Sequence, residues 1–285
     1  MEHKLSAQNS LSNNRQKPRL PGLFVRYPVI FAILLLLIYV GGIQIVAIFL
    51  KTPSFVDGLV IYTIFILLLV GFLSWSHLWH EFGFRPLKQW QQLKLLLLLL
   101  LFLVSSAGST ILLIHGQVTL ATLVHGTGLP TGAYLLIYLP ILLLYTAMIG
   151  FTEETIFRGL ALHALLRFGW IRAALFSSLL FGLAHLNMLV PYPPQILALR
   201  ALDAFLFGFF FAAIRLQMKT IWPTILAHTL FDFSLTLFSS LHPALYSLPG
   251  NSLRIIIELA FACVGIYLLQ KQGNLLEHNV STTKN

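Results

Sequence analysis

From Pro28 onward the chain alternates long apolar runs with brief polar interruptions. The apolar positions do not follow a period of two. They continue for about 20 residues at a time, the length an α-helix needs to cross a bilayer, whereas barrel strands are short and alternate. The pattern predicts an all-α, polytopic transmembrane bundle of about eight helices. The spans fall near Pro28–Leu50, Gly58–Trp79, Leu95–Ile114, Ala133–Phe151, Ile171–Val190, Ala201–Gln217, Ile221–Ser239 and Leu253–Gln270. The fourth is expected to continue as helix through Glu153, Arg158 and His163 to near Arg167. Residues 1–27 are polar and basic and read as a disordered cytoplasmic tail. Residues 28–270 form the transmembrane domain, and 271–285 a short polar cytoplasmic tail. The run Pro28–Leu50 is too long for a signal peptide's apolar region and is expected to be retained.

Composition agrees with the pattern. The chain is 58% hydrophobic and 9% charged, where a soluble domain carries about 25% charged residues. The net charge of +9 reads as topology, not as a nucleic-acid footprint. Basic residues cluster in alternate loops: Lys4, Arg15, Lys17, Arg19 and Arg26 in the first tail; Arg85, Lys88 and Lys94; Arg158, Arg167 and Arg172; Arg215 and Lys219; Lys271 and Lys284. His115 to Gly132, Leu186 to Leu199 and Ser240 to Ser252 contain no Lys or Arg. This alternation puts both termini in the cytoplasm and requires an even number of spans. The single cysteine, Cys263, excludes a disulfide within the chain. No phosphate-binding glycine loop or dinucleotide fingerprint occurs, which argues against ATP-driven work.

Against this background a few ionisable side chains stand out, because each costs several kcal/mol at bilayer depth, roughly 2.5–3.5 on insertion scales. Glu153, Glu154 and Arg158 lie in Phe-Thr-Glu-Glu-Thr-Ile-Phe-Arg-Gly. Adjacent residues of a helix point about 100° apart. Arg158, four residues after Glu154, can pair with it, while Glu153 escapes that pairing and is the carboxylate suited to act as a base. His185 follows Phe181 by one turn, and His228 and Asp232 share a face at i, i+4. Each element alone also reads as structure: a salt-bridged helix end, a packing histidine, a His–Asp pair stapling helices. Together they satisfy one another, and the set can hold a water, take its proton and bind a developing oxyanion. That is peptide hydrolysis without a covalent intermediate.

The order Glu-Glu-x-x-x-Arg, Phe-x-x-x-His, His-x-x-x-Asn/Asp resembles the CPBP family, which takes in the type II CaaX prenyl proteases and bacteriocin-processing enzymes and is also called the Abi family. The resemblance covers roughly residues 130–240. It implies an intramembrane endopeptidase in which Glu153 activates water, His185 is its partner, Glu154 and Arg158 support the site, and His228 and Asp232 form the oxyanion pocket. The eukaryotic prenyl proteases carry Asn where this chain has Asp232. The family is often labelled metalloprotease, so a divalent ion such as zinc on Glu153, His185, His228 and Asp232 is one alternative and a metal-free glutamate mechanism the other; there is no His-Glu-x-x-His motif. The expected partners are membrane lipid and a peptide or protein substrate, lipidated in the eukaryotic branch. The expected location is a bacterial cell membrane. A non-catalytic bacteriocin self-immunity or binding protein is the main alternative function. A proton-coupled transporter is a weaker one, because no internal repeat is found.

Overall fold

In hydrocarbon a backbone satisfies its N–H and C=O groups only within a helix or a closed barrel, so unbroken apolar runs of this length must coil. The computed structural model describes residues 22–50, 55–87, 92–113, 128–186, 193–239 and 248–282, and among them every regular element is helical. In chain order these are α1 (Gly22–Arg26), α2 (Pro28–Leu50), α3 (Phe55–Ser76) and α4 (Gln92–Leu113). Then follow α5 (Thr131–Phe168), α6 (Trp170–Ala184), α7 (Pro194–Met218), α8 (Trp222–Ser239) and α9 (Leu248–Thr282). Six of them, α2, α3, α4, α5, α7 and α9, are long and apolar enough to cross a membrane. α8 matches the expected span but is interrupted by Thr224, His228, Thr229 and Asp232.

Two helices depart from the expected spans in ways that matter for the site. α5 is one continuous helix of 38 residues, about 57 Å at 1.5 Å per residue, and so far longer than a hydrocarbon core of about 30 Å. It widens into π-helical turns at Tyr134–Tyr138 and at Thr155–Ala161, the second directly after Glu154. α6 closes at Ala184, short of the expected Val190, through three-residue bonds from His185 N to Gly182 O (3.0 Å) and Leu186 N to Leu183 O (3.1 Å). At 15 residues it is about 22 Å long, less than a full crossing. Gly169, at φ 95°, makes the hairpin between α5 and α6. Glu153 and His185 stand equally many residues from it, so antiparallel packing brings them towards one level, which the expected span limits did not.

The tails also differ from expectation. Residues 22–26, read as part of a disordered segment, form α1. Its Phe24 is buried with its ring on Phe31 (5.0 Å between centroids), Phe82 (5.9 Å) and His163 (5.8 Å). An aromatic that can bury this much apolar surface pulls its own turn out of solution. At the other end α9 continues as helix to Thr282, through most of the stretch read as a tail. Residues 1–21 lie outside the described residues.

α7 lies at the centre, packed between α6 and α9, while α8 lies along α5 and α4. Its run of phenylalanines builds the core: Phe102 of α4 meets Phe207, Phe210 and Phe211 of α7, with Phe231 and Phe261 alongside. The loop after α3 is docked rather than solvated. His77, His80 and Glu81 are exposed, but Leu78, Phe82 and Phe84 beside them are buried. Gly83, at φ 98°, lets the Arg215 guanidinium lie against the backbone, where a Cβ would stand 2.6 Å from Nε.

Candidate active site

The site begins with a close approach of two helices. At Gly150 of α5 a Cβ would stand 2.8 Å from Thr229 Oγ1 and 3.1 Å from Ile225 O and from Thr229 N, so only glycine lets α8 come this near. One turn on from Gly150 is Glu153; one residue before Thr229 is His228. The contact therefore sets the distance between carboxylates and imidazole. Gly150→Ala is expected to force the helices apart at a cost of about 1–3 kcal/mol. An unfolding midpoint no lower than wild type would contradict this close packing.

His228 is the hub. Its Nδ1–H donates to Glu154 Oε1 at 2.9 Å. Its Nε2 lies 3.5 Å from Glu153 Oε2 and 3.5 Å from Asp232 Oδ2. The ring is walled by Phe207 (4.9 Å), Phe181 (5.8 Å) and Phe211 (6.3 Å), all edge-on. Because Nδ1 is engaged by a carboxylate, Nε2 is the position at which a proton comes and goes. Arg158 Nη1 is 3.1 Å from Glu154 Oε1, with both side chains fully buried. Its guanidinium also lies 4.0 Å from the centre of the Phe181 ring and 5.9 Å from that of Phe207. Glu154 is thus fixed by Arg158 and His228, while Glu153 keeps Oε2 facing the reactive nitrogen.

Asp232 is 23% exposed at its side chain, against 8% for Glu153 and none for Glu154 and Arg158. His185, half-buried at the end of α6, lies within electrostatic reach of Asp232 and His228. Its Nδ1–H donates to Phe181 O at 2.9 Å and its ring packs on Phe181 at 4.7 Å. That bond leaves Nε2 as the acceptor on the neutral ring. The resemblance makes His185 the partner of Glu153; among the described residues the imidazole 3.5 Å from Glu153 Oε2 is that of His228. The reason is register: α6 turns out of its helix at His185, whereas Gly150 draws α8 onto α5.

Among the described residues no group of three or more His, Cys, Asp or Glu side chains is arranged to hold an ion. His228 spends Nδ1 on Glu154, and His185 is turned to a backbone carbonyl. Asn187, His115 and His125 lie outside the described residues.

Sequence reasoning missed Tyr39. Its hydroxyl donates a hydrogen bond to Glu153 Oε1 from α2. The available signal was a tyrosine in mid-span, whose hydroxyl must find a partner in hydrocarbon. Asp203 pairs across helices: Arg254 reaches it from α9, with Nε 2.8 Å from Oδ1, stapling α7 to α9.

Fold and site together define a multi-pass helical membrane protein with a buried Glu–His–Asp centre built on α5, α6 and α8. Residues 135–234 match the family model described as Type II CAAX prenyl endopeptidase Rce1-like, which supports placing the chain in the CPBP family. The matched stretch contains Glu153, Glu154, Arg158, His185, His228 and Asp232. That family implies a protease. No curated protein and no solved structure matches the chain.

Proposed function

We propose that this protein is an intramembrane endopeptidase that hydrolyses a membrane-associated or C-terminal peptide through water activated by Glu153. The observation that carries the reading is His228 Nε2 held 3.5 Å from Glu153 Oε2 while Nδ1 is locked on Glu154. Water bonds through its oxygen to the scissile carbonyl carbon as Glu153 takes one of its protons. The carbonyl becomes an oxyanion; His185 and Asp232 stabilise it only when each carries a proton, since the neutral ring with Nδ1–H on Phe181 O and an ionised carboxylate both offer acceptors alone. The proton passes from Glu153 through His228 Nε2 to the amide nitrogen, and the C–N bond breaks to leave a carboxylic acid and an amine. Arg158 and Glu154 keep the imidazole oriented throughout.

The charge alternation supports cytoplasmic termini, with the site placed towards the cytoplasmic half of what is proposed to be a bacterial cell membrane. Leu136 and Phe49, 79% and 80% exposed, are among the apolar side chains that would face lipid. The test is cleavage of a membrane-anchored peptide library by purified protein in liposomes, with wild type, Glu153→Gln and a chelator compared. Cleavage by wild type that survives chelation but is lost in the variant supports the reading. Loss on chelation, reversed by a divalent ion, would replace the metal-free route. Equal inertness of wild type and variant on every peptide, with a surviving bacteriocin-immunity phenotype, would make this a binding protein.

A further inference from the structure

Glu153 has two oxygens, and they face different partners. Oε2 faces His228 Nε2 at 3.5 Å. Oε1 accepts the hydroxyl hydrogen of Tyr39, a residue of α2 that lies outside the matched stretch 135–234. Tyr39 is 3% exposed, and its ring is held against Phe65 at 5.5 Å and edge-on to Phe157 at 5.8 Å. A phenol has one hydrogen, and Tyr39 spends it on Glu153. The Tyr62 hydroxyl, 3.4 Å from that of Tyr39, must therefore donate to the Tyr39 oxygen. Tyr62 in turn packs its ring edge-on against Tyr145 of α5 at 5.8 Å. Gly58 makes room there, since a Cβ at that position would stand 2.9 Å from the Tyr145 hydroxyl. A chain of contacts from α3 and α5 thus backs the α2 hydroxyl that meets Glu153 Oε1.

We infer that Tyr39, oriented by Tyr62, is a positioning residue for the glutamate base: it holds Oε1 so that only Oε2 is presented to water and to His228. The inference rests on the proposed role of Glu153. A carboxylate on three rotatable side-chain bonds would otherwise sample orientations in which neither oxygen meets the reacting water, and a base must be within hydrogen-bond reach of the proton it takes. The donor is a phenol fixed by aromatic packing, so the orientation is set before substrate arrives. It follows that α2 and α3, beyond the helices carrying the motifs, are needed to build the base.

The test compares wild type, Tyr39→Phe, Tyr62→Phe and Glu153→Gln on a peptide that wild type cleaves, with infrared difference spectra of the carboxylate bands. The band belonging to Glu153 is the one that Glu153→Gln removes. Tyr39→Phe is expected to lower kcat about ten- to hundredfold, with KM within about twofold. It should also shift the Glu153 band, over and above any fall in the unfolding midpoint from the stranded Tyr62 hydroxyl. Tyr62→Phe should show a smaller effect of the same kind, and fluorinated tyrosines at position 39 should restore kcat. A Tyr39→Phe protein with wild-type kcat overturns the inference, as does a loss of kcat that comes with a lower unfolding midpoint and an unshifted band. Failure of the underlying reading looks different: Glu153→Gln would cleave as well as wild type.

Discussion

Glu153→Gln is expected to lower kcat by about three orders of magnitude or more, in the range seen when a catalytic base is removed. The fold should persist, because glutamine keeps the shape and its carbonyl still accepts the Tyr39 hydroxyl. What is lost is the ability to take a proton opposite His228 Nε2. The adjacent glutamate supplies the control. Glu154 is engaged by Arg158 and by His228 Nδ1. Glu154→Gln should therefore act by loosening the imidazole, with a partial loss of kcat and a measurable fall in the unfolding midpoint. Single-turnover cleavage with circular dichroism on the same samples separates the two. If Glu154→Gln were the inactive, well-folded variant and Glu153→Gln the active one, the assignment of base and brace would be reversed.

Arg158→Leu is expected to produce the largest loss of stability, about 3–5 kcal/mol, the usual consequence of removing one partner of a buried ion pair and leaving the other uncompensated. Both side chains are fully buried. Three phenylalanines close in around the same centre, so water has little room to replace the lost charge. Adding Glu154→Gln to Arg158→Leu should recover at least half of the loss, since it removes the stranded carboxylate. A double variant no more stable than Arg158→Leu alone would show that the cation acts through the Phe181 and Phe207 faces rather than through Glu154. Denaturant midpoints in one detergent, read for the two single variants and the double, complete the cycle.

The helical pattern was legible because hydrocarbon enforces it: an apolar run of bilayer length has no way to satisfy its backbone other than by coiling. For the same reason Glu153, Glu154, Arg158, His185, His228 and Asp232 could be picked out as a set, since each is costly alone in an apolar span. The i, i+4 rule also anticipated two contacts inside single helices, Glu154 with Arg158 and His228 with Asp232. Local rules reach one or two turns, and these contacts lie within that reach.

Everything across helices required the tertiary structure. Nothing in the local pattern of α8 says that its imidazole, rather than that of His185, will face Glu153; the approach at Gly150 and the early end of α6 decide it. The early end of α6 at Ala184, short of the expected Val190, was likewise invisible to span-by-span counting. Tyr39 stands more than a hundred positions from Glu153 in the chain, and only the packing of α2 against α5 and α6 puts its hydroxyl there. The sequence by itself determined which groups are too costly to be idle and which of them share a helix, because desolvation and helical spacing are local properties. Which group faces which was left to the crossing of helices, where a missing Cβ and an aromatic wall set distances that no single segment encodes.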